Sequence, residues 1–194
     1  MKKLFFVPLI LISTGLFAQR FQLGIKGGVN ISNFVGSSPN NVDNKAIVGF
    51  HAGAMLPLWF GKYIALQPEV LFSSQGAKVN NAGNEGNFRV SYLTIPVLLK
   101  GRFDGGFYLE AGPQIGFRVN DNIPASQATV SGWNTDLAVD AGLGYHGAAG
   151  FGIGARYCVG LSKVATFNIN NTQPKYRNGV AQLFIFFTLF NSQK

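Results

Sequence analysis

From Tyr92 to Arg118 the chain alternates apolar and polar residues in two runs separated by Asp104-Gly105-Gly106. Period-two alternation on both sides of a short Gly-rich turn predicts a β-hairpin. Leu93, Ile95, Val97, Leu99 and Phe103 share one parity with Phe107, Leu109, Ala111, Ile115 and Phe117 across the turn. The opposite parity holds Lys100, Arg102, Glu110, Gly112, Gln114, Gly116 and Arg118. One face of this hairpin is oily and the other carries charge and glycine. That division predicts a strand pair in a membrane barrel, with lipid outside and a packed polar lumen inside.

The same alternation recurs along the chain. It marks strand-like segments at roughly 20–31, 46–58, 63–76, 88–103, 107–119, 135–146, 150–162 and 179–190. Each is long enough to cross a bilayer, which takes about 9–11 tilted residues. Their connections take strict turns, long then short. The short ones are Trp59-Phe60-Gly61-Lys62, Asp104-Gly105-Gly106 and Gly147-Ala148-Ala149, whereas the long ones are rich in Asn, Ser, Gly and Pro. Outer-membrane barrels have this layout, with short periplasmic turns and long extracellular loops. Both ends of the chain then fall on the periplasmic side.

Parity separates two mirror-image barrels. In the first seven segments one face carries Lys26, His51, Glu69, Lys100, Arg102, Glu110, Arg118, Asp136, Asp140 and Arg156. Arg89, near the predicted extracellular rim, is the clearest charged exception. The charged face also holds Gly24, Gly28, Gly49, Gly53, Gly112, Gly116, Gly142, Gly144, Gly152, Gly154 and Gly160, against Gly27, Gly76 and Gly101 on the other. A soluble lipocalin-like barrel would put the charged face in water, where glycines only weaken strands. A narrow barrel must fit its side chains inside, so small residues beside long charged ones are useful there. The predicted fold class is therefore all-β: an eight-stranded antiparallel up-and-down transmembrane β-barrel. Met55, Leu71 and Leu98 sit on the inward parity and blur the pattern, and the last segment is too uniformly apolar to show its facing.

Aromatics concentrate at strand ends, as two interface belts require. Phe21, Trp59, Phe60, Tyr63, Phe103, Phe107, Tyr145, Phe151 and Phe190 fall near the periplasmic rim. Phe72, Tyr92, Phe117, Trp133 and Tyr157 fall toward the other. The final strand ends in Thr188-Leu189-Phe190, and a terminal aromatic there resembles the signal read by the outer-membrane assembly machinery. Four polar residues follow it, which softens that match.

Composition agrees with this pattern. Charged residues make up 12% of the 194-residue chain, about half the usual ~25% of soluble domains, while aromatics reach 13% and glycines number 25. Residues 1–18 read as a secretory signal peptide: Lys2-Lys3, an apolar run from Leu4 to Ile12, and Ala18 before the cut. The barrel domain is then 19–194. No later stretch approaches the ~18 apolar residues of a transmembrane helix. The formal charge of +8 becomes 8 − 2 = +6 once Lys2 and Lys3 leave. Its cations are spread along strands rather than clustered, so nucleic acid is not an expected partner. The single Cys158 has no partner for an internal disulfide and reads as a packing residue.

Leu66-Gln67-Pro68-Glu69-Val70-Leu71-Phe72, Tyr92 to Lys100, Tyr108-Leu109-Glu110-Ala111-Gly112-Pro113 and Arg156 to Ser162 occur in an order that resembles the PorT-like outer-membrane β-barrel family of Bacteroidetes-type bacteria. The resemblance covers nearly the whole mature chain. It implies a location in the cell outer membrane. The founding member's tie to a protein secretion and gliding system implies a role in a secretion or surface apparatus.

The inward charges are the main candidate constellation. The cations Lys26, Lys100, Arg102, Arg118 and Arg156 face the carboxylates Glu69, Glu110, Asp136 and Asp140. Buried charges must be paired and hydrogen-bonded, so a salt-bridge network plugging the lumen is expected. Glu69, Lys100 and Glu110, on sequential strands, are the set expected to touch. A narrow channel for small solutes is the alternative, and a lipid-modifying enzyme built on His51 or His146 is a third reading. Neither His belongs to a nucleophile motif and no G-x-S-x-G occurs. Two distant His and one Cys offer no metal-ligand spacing, and no cofactor is expected. Gly150-Phe151-Gly152-Ile153-Gly154 lacks the βαβ context of a nucleotide fingerprint. Beyond membrane lipid, a protein partner would meet the long loops at 120–134 and 163–178, where Pro124, Trp133, Pro174, Lys175, Tyr176 and Arg177 lie.

Overall fold

The alternating segments close on themselves. A computed structural model describes residues 20–35, 42–81, 84–121, 135–162, 165–166 and 175–191. The strands are β1 (Arg20–Val35), β2 (Val42–Met55), β3 (Leu58–Phe60), β4 (Ile64–Asn81), β5 (Asn84–Arg102), β6 (Phe107–Asp121), β7 (Thr135–His146), β8 (Phe151–Gly160), β9 (Ala165–Thr166) and β10 (Lys175–Asn191). Consecutive strands pair antiparallel, and β1 pairs with β10 to shut the ring. β2 and β3 form one stave interrupted at Leu56-Pro57, and the two-residue β9 pairs antiparallel with Lys175 and Tyr176 at the start of β10 without adding a stave. Eight staves remain. The signal segment 1–18, Trp133 and most of the 120–134 loop lie outside the described residues.

β4 and β5 run for 18 and 19 residues, well beyond the ~9–11 that span a bilayer. They are longer than the alternation predicts because Ala77–Asn81 still pair with Asn84–Phe88, even though Asn and Gly dilute the apolar pattern there. At the opposite end the staves meet in tight turns. Gly105 and Gly106 adopt φ of 86° and 94°, a conformation that costs glycine nothing and any other residue strain. The first short turn is Gly61–Tyr63 rather than 59–62, because Trp59 and Phe60 are held in β3 by pairing with Ala65 and Ile64.

The outer surface is apolar on every stave. Ile25, Val29, Val48, Phe50, Val70, Val97, Leu99, Leu109, Leu143, Ile153, Leu183 and Ile185 are all exposed. Among the described residues no charged side chain faces out between the two rims. In water such a surface would aggregate; in hydrocarbon it is the required one. Exposed Phe21, Phe60, Tyr63, Phe103, Phe107, Tyr145 and Phe151 ring the short-turn end, and exposed Phe50, Phe72, Phe117 and Tyr157 lie toward the other. Trp59 and Tyr92 leave the predicted belts. They share parity with inward Met55 and Lys100, and only 6% and 2% of their surfaces are exposed. The facing of the last strand is also settled: Val180, Gln182, Phe184, Phe186 and Thr188 point inward.

Candidate functional site: the charged plug of the lumen

Because inward residues recur every second position, each stave delivers only a few side chains to the barrel centre. β4 supplies Gln67 and Glu69, β5 Lys100, β6 Tyr108 and Glu110, β7 Asp140, β8 Arg156, β1 Lys26 and β10 Phe184 and Phe186; all are buried. Arg156 is the hub. Its two terminal nitrogens donate to Glu69 Oε2 and Oε1, both at 2.9 Å. Its Nε and Nη2 also donate to Glu110 Oε1, at 2.9 and 2.6 Å. Asp140 Oδ2 lies 3.7 Å from Arg156 Nη1. The planar guanidinium fork is what lets one cation hold two carboxylates in fixed geometry.

Lys26 and Lys100 complete the plug differently. Lys26 Nζ donates to both Glu69 oxygens at 3.2 Å and sits 3.6 Å from the centroid of the Phe184 ring. Lys100 Nζ donates to Gln67 Oε1 at 3.2 Å and lies 3.7 Å from the Tyr108 ring centroid and 4.9 Å from that of Phe186. Gln67 Nε2 donates in turn to Glu69 Oε1 at 2.6 Å. Glu69, Lys100 and Glu110 therefore do not meet as a simple triad. Gln67 bridges Lys100 to Glu69, and Arg156 joins the two glutamates. A desolvated cation over an aromatic face gains about 2 kcal/mol or more, which explains how Lys100 is held without a carboxylate contact.

The rings fit only because glycines face them. A Cβ on Gly152 would collide with Phe186, and one on Gly154 would lie 2.5 Å from Tyr108 Oη and 2.6 Å from the Phe184 ring. Small strand residues opposite large ones keep the lumen solid.

A second, uncharged layer lies on the long-loop side. Asn30 Nδ2 donates to Phe50 O, Ser73 Oγ and Ser74 O at 3.1, 3.0 and 2.9 Å, and its Oδ1 accepts from His51 Nδ1 at 2.7 Å and Gln182 Nε2 at 3.2 Å. Ser73 Oγ also accepts from Gln75 Nε2 at 3.0 Å. His51, Asn30 and Ser73 are close neighbours, yet no more than 1% of each is exposed, and Ser73 is held by Asn30 and Gln75. His146 is likewise buried, its ring 5.0 Å from that of Phe186.

The structure thus gathers Lys26, Glu69, Lys100, Glu110, Asp140 and Arg156, three cations against three carboxylates. It sets the other predicted residues apart. Arg118 and Asp136 are half-buried toward the long-loop end. Arg102 is half-buried at the short-turn mouth, where its Nη2 donates to His146 O at 3.2 Å. On the exposed turn below, the Asp104 carboxylate, 3.0 Å from Lys62 Nζ, raises the pKa of that ammonium above its ordinary value. Asn30, Gln67, Gln182, Tyr108, Phe184 and Phe186 complete the plug. Inward parity marks Asn30, Gln67 and Tyr108 in the sequence, but the uniformly apolar last segment gives no such mark for Gln182, Phe184 or Phe186.

Comparison with known proteins accords with this geometry. The family described as outer membrane protein beta-barrel domain matches residues 17–166. No curated protein matches the sequence. The fold is similar to that of the outer membrane protein OprG from Pseudomonas aeruginosa, with TM-score 0.53 at 10% identity, covering 88% of this chain and 95% of that one. It is similar also to Neisserial surface protein A, with TM-score 0.56 at 11% identity, covering 86% and 97%. A third is Ail, the attachment invasion locus protein of Yersinia pestis, with TM-score 0.50 at 15% identity, covering 88% and 99%. At these identities the likeness is one of fold.

Proposed function

Since this chain belongs to the outer-membrane protein β-barrel family, we propose that it is a non-enzymatic, non-conducting barrel with a structural or interaction role at the outer membrane. The observation that carries the reading is the central plug. Glu69 and Arg156 side chains are wholly buried and fixed to one another across the lumen, with Lys26 and Glu110 locked to the same pair. A conducting path would have to break several charge-assisted bonds, each of the stronger kind. The short turns face the periplasm and the long loops the exterior, so a partner is met by the loops or the rims. The PorT-like blocks support a place in a protein secretion or surface apparatus, as a scaffold rather than as its pore. Outer-membrane lipid surrounds the barrel, and the assembly machinery inserts it.

Reconstitution into planar bilayers tests the plug. The purified protein should insert without stable conductance steps, while Arg156→Ala, which cuts the hub, should produce flickering openings. Reproducible open steps from the unaltered protein would refute the closed-lumen reading. Crosslinking of the native protein in outer membranes, followed by pull-down, should recover a protein that is lost when the 120–134 or 163–178 loop is replaced by a Gly-Ser linker.

A further inference from the structure

Below the plug the lumen opens at the short-turn end into a cavity of about 440 Å³, lined among others by Gln22, Trp59, Lys62, Tyr63, Arg102 and Asp104. Charge is not balanced there as it is in the plug. Arg102 and Lys62 contribute two cations and Asp104 one carboxylate, which is already taken by Lys62. Arg102 spends one nitrogen on the His146 carbonyl, and its guanidinium carbon lies 5.9 Å from the Trp59 ring centroid. No carboxylate among the described residues lies within ion-pair distance of it. A half-buried guanidinium with donors left over is the arrangement a protein uses to take an anion from outside, because the fork matches two oxygens of one acceptor. The low-dielectric wall of the barrel strengthens that pull relative to an arginine on an open surface.

We infer that the short-turn mouth is a binding site for a carboxylate anion entering from the aqueous phase, held by the Arg102 fork while Lys62 neutralises the Asp104 carboxylate at the rim. The fork takes two oxygens of a carboxylate or of a phosphate alike, but only a planar carboxylate keeps all its atoms in the guanidinium plane and so lies flat beside the indole ring. The ligand class is therefore a carboxylate-bearing small molecule of a size to enter the cavity of about 440 Å³. The site is separate from the plug, so its occupation leaves the barrel closed.

Trp59 is a built-in reporter, since Trp133 is the other tryptophan in the chain. The full chain carrying Trp133→Phe, folded in detergent micelles, is titrated with citrate and, at matched ionic strength, with inorganic phosphate. Citrate should change Trp59 emission saturably. Arg102→Gln should weaken citrate about tenfold, the scale of one lost charge-assisted contact. Lys62→Gln, on an exposed turn, leaves the Asp104 carboxylate unneutralised at the mouth and should weaken citrate by roughly threefold. A response that never saturates, citrate affinity unchanged in either variant, or phosphate bound as tightly as citrate would each overturn the assignment.

Discussion

Replacing Glu69 by Gln tests the plug most directly. Glu69 accepts from Arg156 through both oxygens, from Lys26 at 3.2 Å and from Gln67 at 2.6 Å, with its side chain wholly buried. The amide keeps the volume but removes the charge and turns one oxygen into a donor that faces donors. Three central cations would then share two carboxylates, Glu110 and Asp140. Breaking one side of a buried ion pair costs about 3–5 kcal/mol, because the remaining charge is stranded. At about 2–4 °C per kcal/mol for a domain of this size, the melting midpoint should fall by about 6–20 °C. The assay is the loss of the compact, heat-modifiable band on a gel as temperature rises, with the protein in detergent micelles. Arg156→Met, which removes the hub, completes a cycle with it. The double variant should be more stable than the sum of the two losses implies, by about 1–3 kcal/mol. A Glu69→Gln barrel that melts within a degree of the unaltered one, or two losses that simply add, would refute the view that these charges hold the lumen together.

Two further substitutions probe the packing and the outer face. Gly152→Ala should cost about 1–3 kcal/mol by overpacking against Phe186, and Phe186→Leu in the same chain should recover most of it; equal melting of the two variants would show that the ring can simply move. Val97→Arg places a charge on the lipid face near mid-height and should cost about 2–4 kcal/mol in lipid vesicles, read from the shift in urea midpoint. An unchanged midpoint would place Val97 away from hydrocarbon.

Parity along a strand sets what the residues alone show of this barrel. Parity reports which face a residue takes, so the apolar exterior and the inward position of Lys26, Glu69, Glu110 and Arg156 could be read from the order of residues alone. It does not report height along the barrel axis, which depends on strand tilt and stagger. That is why Arg102, Arg118 and Asp136 were grouped with charges from which the structure separates them. It is also why Lys100 was expected to touch Glu69 rather than reach it through Gln67. Trp59 and Tyr92 were assigned to the belts by their place near strand ends, although their parity already pointed inward. For Phe184 and Phe186 the signal was absent: an almost wholly apolar strand has no contrast, and its facing is fixed only when β1 and β8 dock on its two sides.

The height of each charge also separates what is structural from what can bind. At mid-height, cations and carboxylates are equal in number and sealed from water, and hydrogen bonds tie Glu69 to Arg156 and Lys26, and Glu110 to Arg156, so these groups stabilise the barrel by satisfying each other. At the short-turn mouth the balance fails: Arg102 and Lys62 face a single carboxylate, and the space beside them is open. A half-buried guanidinium with no carboxylate partner loses to desolvation about what its bond to the His146 carbonyl and its place near the Trp59 ring return, so it adds little net stability. Arg102→Gln should therefore leave the melting midpoint unchanged or raise it slightly, in contrast to Glu69→Gln at the plug. A fall as large as that of Glu69→Gln would make Arg102 a structural member of the barrel, and the division of the lumen into a balanced plug and a receptive mouth would no longer stand.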